Sequence, residues 1–314
     1  MTVRWGVLGA GWIVRTATAA AFHDADGAVL QAIGARDRAR AEALGPRIAY
    51  DSYAAVIEDP DVDAVYIALS NDAHLPWIVA ALEAGKHVLC EKPLTLSHDQ
   101  AVEAFALAEH RGLLLVEAAW SRWHPRMQRL SELVASAGVG TVHEYEGSFT
   151  FSGVPQGNYR LEPKRGGGAL LDVGVYPLHG LVATIPDPSA LAVIDVVHER
   201  HRGGVDLTTS ADLQWGPGTR ARITASFIQP EHQQLALAGS EGRIDLPGND
   251  AFTSWRAPST LVVDGHVEEF APVDAYRIMV EQVSTVILGG TGWVVPPRDS
   301  LAVAHLLDML RTEG

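Results

Sequence analysis

The chain has 314 residues, an apolar fraction of 47% and a formal net charge of −14. That is enough material for two packed cores, and the wrong sign for a protein that grips a phosphate backbone, which needs a basic face. No run approaches the ~18 to 20 consecutive apolar residues of a membrane span. The N-terminus reads as a strand rather than a cationic leader, and with one cysteine, Cys90, no internal disulfide can form. A cytoplasmic protein that binds neither nucleic acid nor membrane is the expectation.

The first element is an apolar strand from Val3 to Leu8, running into Gly9-Ala10-Gly11 and then a helix through Trp12, Ile13 and Val14. Gly9 permits a tight turn, and Gly11 lets the backbone approach a pyrophosphate at the helix N-terminus. Gly9, Gly11, Trp12 and Ile13 are therefore assigned to a dinucleotide. Val14 stands where a third small residue is usual, and an ordinary strand-turn-helix is the alternative. Strands at 29–35, 64–69, 87–90 and 113–116 then alternate with helices at 38–44, 75–84 and 101–109. This pattern predicts a doubly wound parallel sheet over residues 1–119, an α/β domain whose loops after Leu8, Ala35, Leu69 and Cys90 line one crevice.

Beyond Trp120 the pattern changes to long strands of period two. In 142–152, Tyr145, Phe149 and Phe151 fall on one face, and Glu144, Glu146, Ser148 and Thr150 on the other. Segments 205–215 and 220–227 alternate likewise, with turns at Gly216-Pro217-Gly218 and Pro247-Gly248-Asn249. Residues 120–314 are expected to form an α+β domain with a mainly antiparallel sheet, one face buried and one more polar. Helices at 168–184, 276–288 and 299–311 complete it.

Four segments carry candidate chemistry. The second strand ends Gly34-Ala35-Arg36-Asp37-Arg38, where an NAD site places an acid for the ribose and an NADP site a cation for the 2′-phosphate. Arg36, with help from Arg38 or Arg40, favours NADP, although Asp37 leaves NAD possible and the arginines could be a solvated helix start. In Ser70-Asn71-Asp72-Ala73-His74, Asn71 could bond a ribose or cap a helix. Ser70, Asn71 and His74 are placed at the cofactor, with a structural role the alternative for His74. Glu91-Lys92-Pro93 sets an ammonium at the mouth of a buried parallel strand, where it could polarise a carbonyl, hold an alkoxide or lower a phenol's pKa. A surface lysine at a strand end is the bland alternative. Asp172, Tyr176 and His179, introduced by Gly166-Gly167-Gly168, share one helical face at i, i+4 and i+7. Such a stripe suits proton handling better than packing. The thirteen histidines show no ligand-like cluster, so no metal is expected.

Gly9-Ala10-Gly11, Glu91-Lys92-Pro93, the segment Glu117-Ala118-Ala119-Trp120-Ser121-Arg122-Trp123-His124-Pro125 and the run from Gly166 to Pro177 resemble the glucose-fructose oxidoreductase, inositol dehydrogenase and MocA family over essentially the whole chain. Tyr176 and the Glu-Ala-x-Trp-x-Arg segment are similar to its branch of dimeric dihydrodiol dehydrogenases and NADP-dependent xylose dehydrogenases. The resemblance implies a Rossmann domain followed by an open-faced sheet that often forms homo-oligomers. It implies hydride transfer between NADP and a carbinol carbon of a sugar, polyol or dihydrodiol, with Lys92 beside the nicotinamide, Tyr176 as acid/base and Asp172 as its partner. It places Trp120 and Arg122 in the substrate pocket and Arg160 at its edge; Phe151 is expected to add an aromatic wall, and His179 lies one turn beyond the tyrosine. A cofactor-binding sensor without turnover is the alternative the same fold allows.

Overall fold

The computed structural model describes residues 1–312. It divides into two compact units, one of Met1–Trp120 with Asp274–Pro297, the other of Ser121–Val273 with the residues from Arg298 on. No helix among the described residues is long and apolar enough to cross a membrane.

The first unit is built on strands β1 (Val3–Leu8), β2 (Ala28–Gly34), β3 (Ile48–Tyr50), β4 (Ala64–Ile67), β5 (His87–Glu91) and β6 (Leu115–Ala118). All are parallel, in the order β3-β2-β1-β4-β5-β6. Their near-continuous burial is what a sheet covered on both faces requires. The order reverses between β1 and β4, and it is beyond the carboxyl ends at such a point that ligands bind.

The helix Ala275–Ile287 corrects the expected single cut after residue 119. It buries Tyr276, Met279, Val280 and Val283, a helical stripe, and packs against the helix Ala19–Asp24. Ser284 Oγ accepts a hydrogen bond of 3.0 Å from the buried Trp5 indole. A stripe in the sequence announces that a face is buried without saying against what.

The second unit's sheet runs β7 (Val142–Ser152), β8 (Ala192–Arg200), β9 (Asp206–Gln214), β10 (Arg220–Ser226), β11 (Ile228–Gly239), β12 (Arg243–Leu246), β13 (Ser259–Val263) and β14 (His266–Phe270) in chain order. In space the order is β14-β13-β12-β11-β7-β10-β9-β8, with only β7 and β10 parallel among neighbours. The helix Val175–Val182 covers one face of β7 and β10. There the Tyr145 hydroxyl donates to the Pro177 carbonyl at 2.7 Å.

The opposite face is polar, as expected, but not wholly open. Ser148, Thr150, Thr208 and Ser226 are buried. β11 loses register with β7 between Ile228 and His232, where Pro230 sits at the irregularity as proline in a sheet must. The Pro230 carbonyl accepts from Thr150, and Thr208 and Ser226 bond one another.

Candidate functional site

On the first unit the four loops named from the sequence are linked by direct contacts at the carboxyl edge of the sheet. Gly9 N donates to the Gly34 carbonyl at 2.9 Å, and Ala68 N to the Leu8 carbonyl at 3.0 Å. Gly9 has φ +112°, and a Cβ there would lie 2.6 Å from the Ala68 carbonyl oxygen. Gly11 differs, because a Cβ there would meet nothing within 4 Å. Neither backbone strain nor a protein neighbour demands glycine at 11, so the space beside it fits a pyrophosphate drawn against the chain. Gly9→Ala is expected to cost about 1–3 kcal/mol of stability in denaturant unfolding. Gly11→Ala should leave stability unchanged and weaken dinucleotide binding by about tenfold or more in a fluorescence titration.

Val14 is fully buried and opens a wide π-type stretch, Val14–Thr18. Trp12 stays 67% exposed and Ile13 half-buried.

At the end of β2, Arg36 is exposed, and no ion pair or hydrogen bond engages its side chain among the described residues. Asp37 caps the next helix through Ala39 N at 3.1 Å, which turns the only nearby acid of that loop to a structural task. Arg38 pairs with Glu42 at 2.8 Å on the surface, an i,i+4 contact. Arg40 is the better helper: its guanidinium donates to the Ala10 carbonyl at 2.6 Å, directly on the glycine turn.

Ser70 is half-buried. Asn71 is 5% exposed and starts a short 3₁₀ turn, without serving as the N-cap of the helix His74–Glu83.

His74 is a correction. Its ring is fully buried, with Nδ1 2.8 Å from the Pro93 carbonyl oxygen and Nε2 3.3 Å from that of Leu69. Burial pushes its pKa down, so the neutral ring has one N–H to donate, and the nearer carbonyl, that of Pro93, is the partner through which it ties two loops together.

Glu91, expected at the cofactor with Lys92, is turned inward. Its buried carboxylate accepts from the Tyr66 hydroxyl, and burial, opposed by that bond and by Lys92, raises its pKa. Lys92 follows it, half-buried, and precedes a cis peptide to Pro93. Glu117 Oε1 accepts from Leu94 N at 3.0 Å, a positioning contact that sequence reasoning missed. A carboxylate inside the apolar strand Leu115–Ala118 was the available signal.

Trp120 is 4% exposed and stacks on Tyr276, centroids 4.6 Å apart. It is core, and offers a substrate little surface.

On the second unit the expected helix at 168–184 begins as a π-type stretch, Leu170–Gly174, and continues as an α-helix, Val175–Val182. Such wide turns often mark functional positions. Asp172 and His179 are buried, whereas Tyr176 is half-buried. The Tyr176 ring packs against Phe149 at 5.3 Å and Phe252 at 6.3 Å. Phe149 and Phe151 also line a cleft of about 410 Å³ with Ser152, Glu231, Gln233 and Thr253. Phe151 is thus part of a cleft wall. Phe252 was not foreseen, because only the fold brings its loop to β7.

Arg160 Nε lies 2.6 Å from Asp172 Oδ2. The arginine expected at a substrate is therefore engaged with the carboxylate expected at the tyrosine. Arg122 is buried, paired with Asp299 at 3.1 Å and bonded to the His179 carbonyl at 3.4 Å. These contacts tie the helix to the terminal segment.

A family model described as an oxidoreductase family with an NAD-binding Rossmann fold matches residues 3–118, and that family's C-terminal domain model matches 127–245. The chain is 36% identical to D-xylose 1-dehydrogenase (NADP(+)) 2 of Haloferax volcanii, covering 98% of this chain and 95% of that one. It is 32% identical to trans-1,2-dihydrobenzene-1,2-diol dehydrogenase of Mus musculus, covering 87% and 81%. A crystal structure of a 3-ketoreductase from Actinomadura kijaniata in complex with NADP and TDP-benzene superposes with a TM-score of 0.88 at 31% identity, covering 100% of this chain and 98% of that one. Structures of that enzyme with one tyrosine changed to phenylalanine, and with one lysine changed to alanine, also match. The two positions exchanged there have the same separation in sequence as Lys92 and Tyr176.

Proposed function

Because the chain belongs to the GFO/IDH/MocA oxidoreductase family and is an oxidoreductase of the kind that acts on CH–OH groups, we propose that it is NADP-dependent and interconverts a carbinol and a carbonyl of a sugar, polyol or dihydrodiol, with Lys92 and Tyr176 handling the proton. What carries the reading is Tyr176, a half-buried phenol packed against Phe149 and Phe252, the former of which also lines a cleft with polar edges. The shared lysine-to-tyrosine spacing supports it.

The bound nicotinamide supplies the hydride donor or acceptor, the chemistry that no side chain offers. The chain's own residues bind, orient and move a proton. Gly9 and Gly11 would hold the pyrophosphate at the turn, and Arg36 would meet the 2′-phosphate, while Arg40 braces the glycine turn through the Ala10 carbonyl. In the oxidising direction Tyr176 takes the hydroxyl proton, Lys92 steadies the developing alkoxide, and the aromatic wall holds the rest of the substrate. Orientation can supply roughly 7–11 kcal/mol of the barrier, more than the ~10²- to 10⁴-fold of proton transfer.

A homo-oligomer joined through the open face of the eight-stranded sheet belongs to the same reading, with exposed Val197 and Val267 among the groups it would cover. A monomer by light scattering at working concentration removes that part. The buried single cysteine, Cys90, fits a reducing compartment and a cytoplasmic setting.

The test is to mix the protein with NADP⁺ and aldoses, polyols and dihydrodiols and follow the absorbance of the reduced cofactor. Turnover of a member of the panel is the expected result. Tight NADPH binding with no turnover in either direction would turn the reading to a sensor. Arg36→Ala is expected to weaken NADPH about 10- to 100-fold, the value of a charge-assisted contact, with little change for NADH. Equal losses for both would deny Arg36 the 2′-phosphate.

A further inference from the structure

We propose that Arg160 is a positioning residue that sets the acid strength of Tyr176, acting through Asp172. The proposal rests on the reading that Tyr176 handles the proton. Asp172 is 7% exposed and precedes Tyr176 by four residues on one helical run. Arg160 Nε meets its Oδ2 at 2.6 Å.

The arginine is fixed from both ends. Its backbone N donates to Asn158 Oδ1 at 3.1 Å, and its carbonyl accepts from Gly168 N at 2.9 Å. A Cβ on Gly167 would lie 2.5 Å from that carbonyl oxygen, and Gly168 has φ +120°. The glycine run thus lets the arginine loop lie against the start of the helix. The guanidinium also sits over the Tyr159 ring, 5.0 Å from its centroid.

The electrostatics agree with this geometry. Burial opposes the charge on Arg160, but Asp172, Tyr159 and Tyr176 outweigh it and hold the guanidinium above its ordinary pKa. From β7 the helix faces Phe149 and Tyr145, whose hydroxyl is committed to Pro177. The turn at Phe252 and the β10 residue Ala225 add apolar contacts. Charged groups beside the phenol on this unit include Asp172 and Arg160, with Glu231 on the wall of the cleft that Phe149 lines. Buried His179 follows on the same helix.

A free phenol titrates near 10, about three units above neutrality, and a proton acceptor works best when its pKa approaches the working pH. A buried carboxylate one turn away, left alone, would oppose the phenolate. Arg160 cancels that charge and adds a cation on the side of the phenol.

The two partners therefore have opposite effects, which a merely structural contact would not give. The ultraviolet titration of phenolate, minus the same titration of Tyr176→Phe, isolates Tyr176 without any substrate. Its midpoint is expected to rise by about one unit in Arg160→Gln, to fall in Asp172→Asn, and to stay near the parent value in Arg160→Lys. In the oxidising direction the acid limb of kcat/KM should move with it, so Arg160→Gln loses about tenfold at neutral pH, chiefly in kcat. An unmoved midpoint in Arg160→Gln, or shifts of the same sign in Arg160→Gln and Asp172→Asn, overturns the proposal. Midpoints that move as expected while no substrate turns over would sink the oxidoreductase reading and leave this one standing.

Discussion

Lys92→Ala is expected to lower turnover by about 10²- to 10³-fold, the usual loss when a preorganised electrostatic contact to a developing oxyanion is removed. The chain on either side of Lys92 is unusually well held. Tyr66 bonds Glu91 before it, His74 bonds the Pro93 carbonyl, and Glu117 bonds Leu94 N after it. Each of these contacts is buried. The backbone that carries the ammonium is thus tied at three neighbouring residues by buried hydrogen bonds. Because Lys92 itself is only half-buried, its loss should leave folding intact, and thermal unfolding together with NADPH titration checks this. Lys92→Arg should not restore activity, since a planar fork replaces a compact charge. Activity of Lys92→Ala within tenfold of the parent would remove this lysine from the mechanism.

Tyr176→Phe should cost about 10²- to 10⁴-fold in kcat with little change in KM, the signature of a group needed for the proton rather than for binding. The ring contacts to Phe149 and Phe252 survive the change, so stability is expected to hold. The pH dependence should also lose one limb. If Tyr176→Phe keeps both its rate and its pH profile while Lys92→Ala is inactive, the lysine is the proton acceptor and the tyrosine part of the wall.

Much of the framework was legible because it is written in local patterns. The strand at 142–152 has the bounds its alternation predicts, and the glycine turn follows β1 as its composition requires. The segments that were missed lack a clean period. β11 carries an irregularity around Pro230, and β12 to β14 are short hairpin strands. At the candidate site, residue types were easier to read than their occupations. Arg122 and Trp120 stand in a suggestive motif, yet one is neutralised by Asp299 and the other stacked on Tyr276. Both partners lie more than 150 residues away along the chain.

The sequence by itself determined the two kinds of sheet, the dinucleotide turn and the cation at the end of β2, because side-chain periodicity and turn chemistry act over a few residues. Only the tertiary structure decided which polar groups remain available. His74, Glu91 and Arg122 are committed to buried partners, Arg36 is open, and Arg160 is turned onto Asp172. The physical reason is that a buried polar group must find a partner wherever the fold supplies one, and the pairing depends on segments brought together from far along the chain.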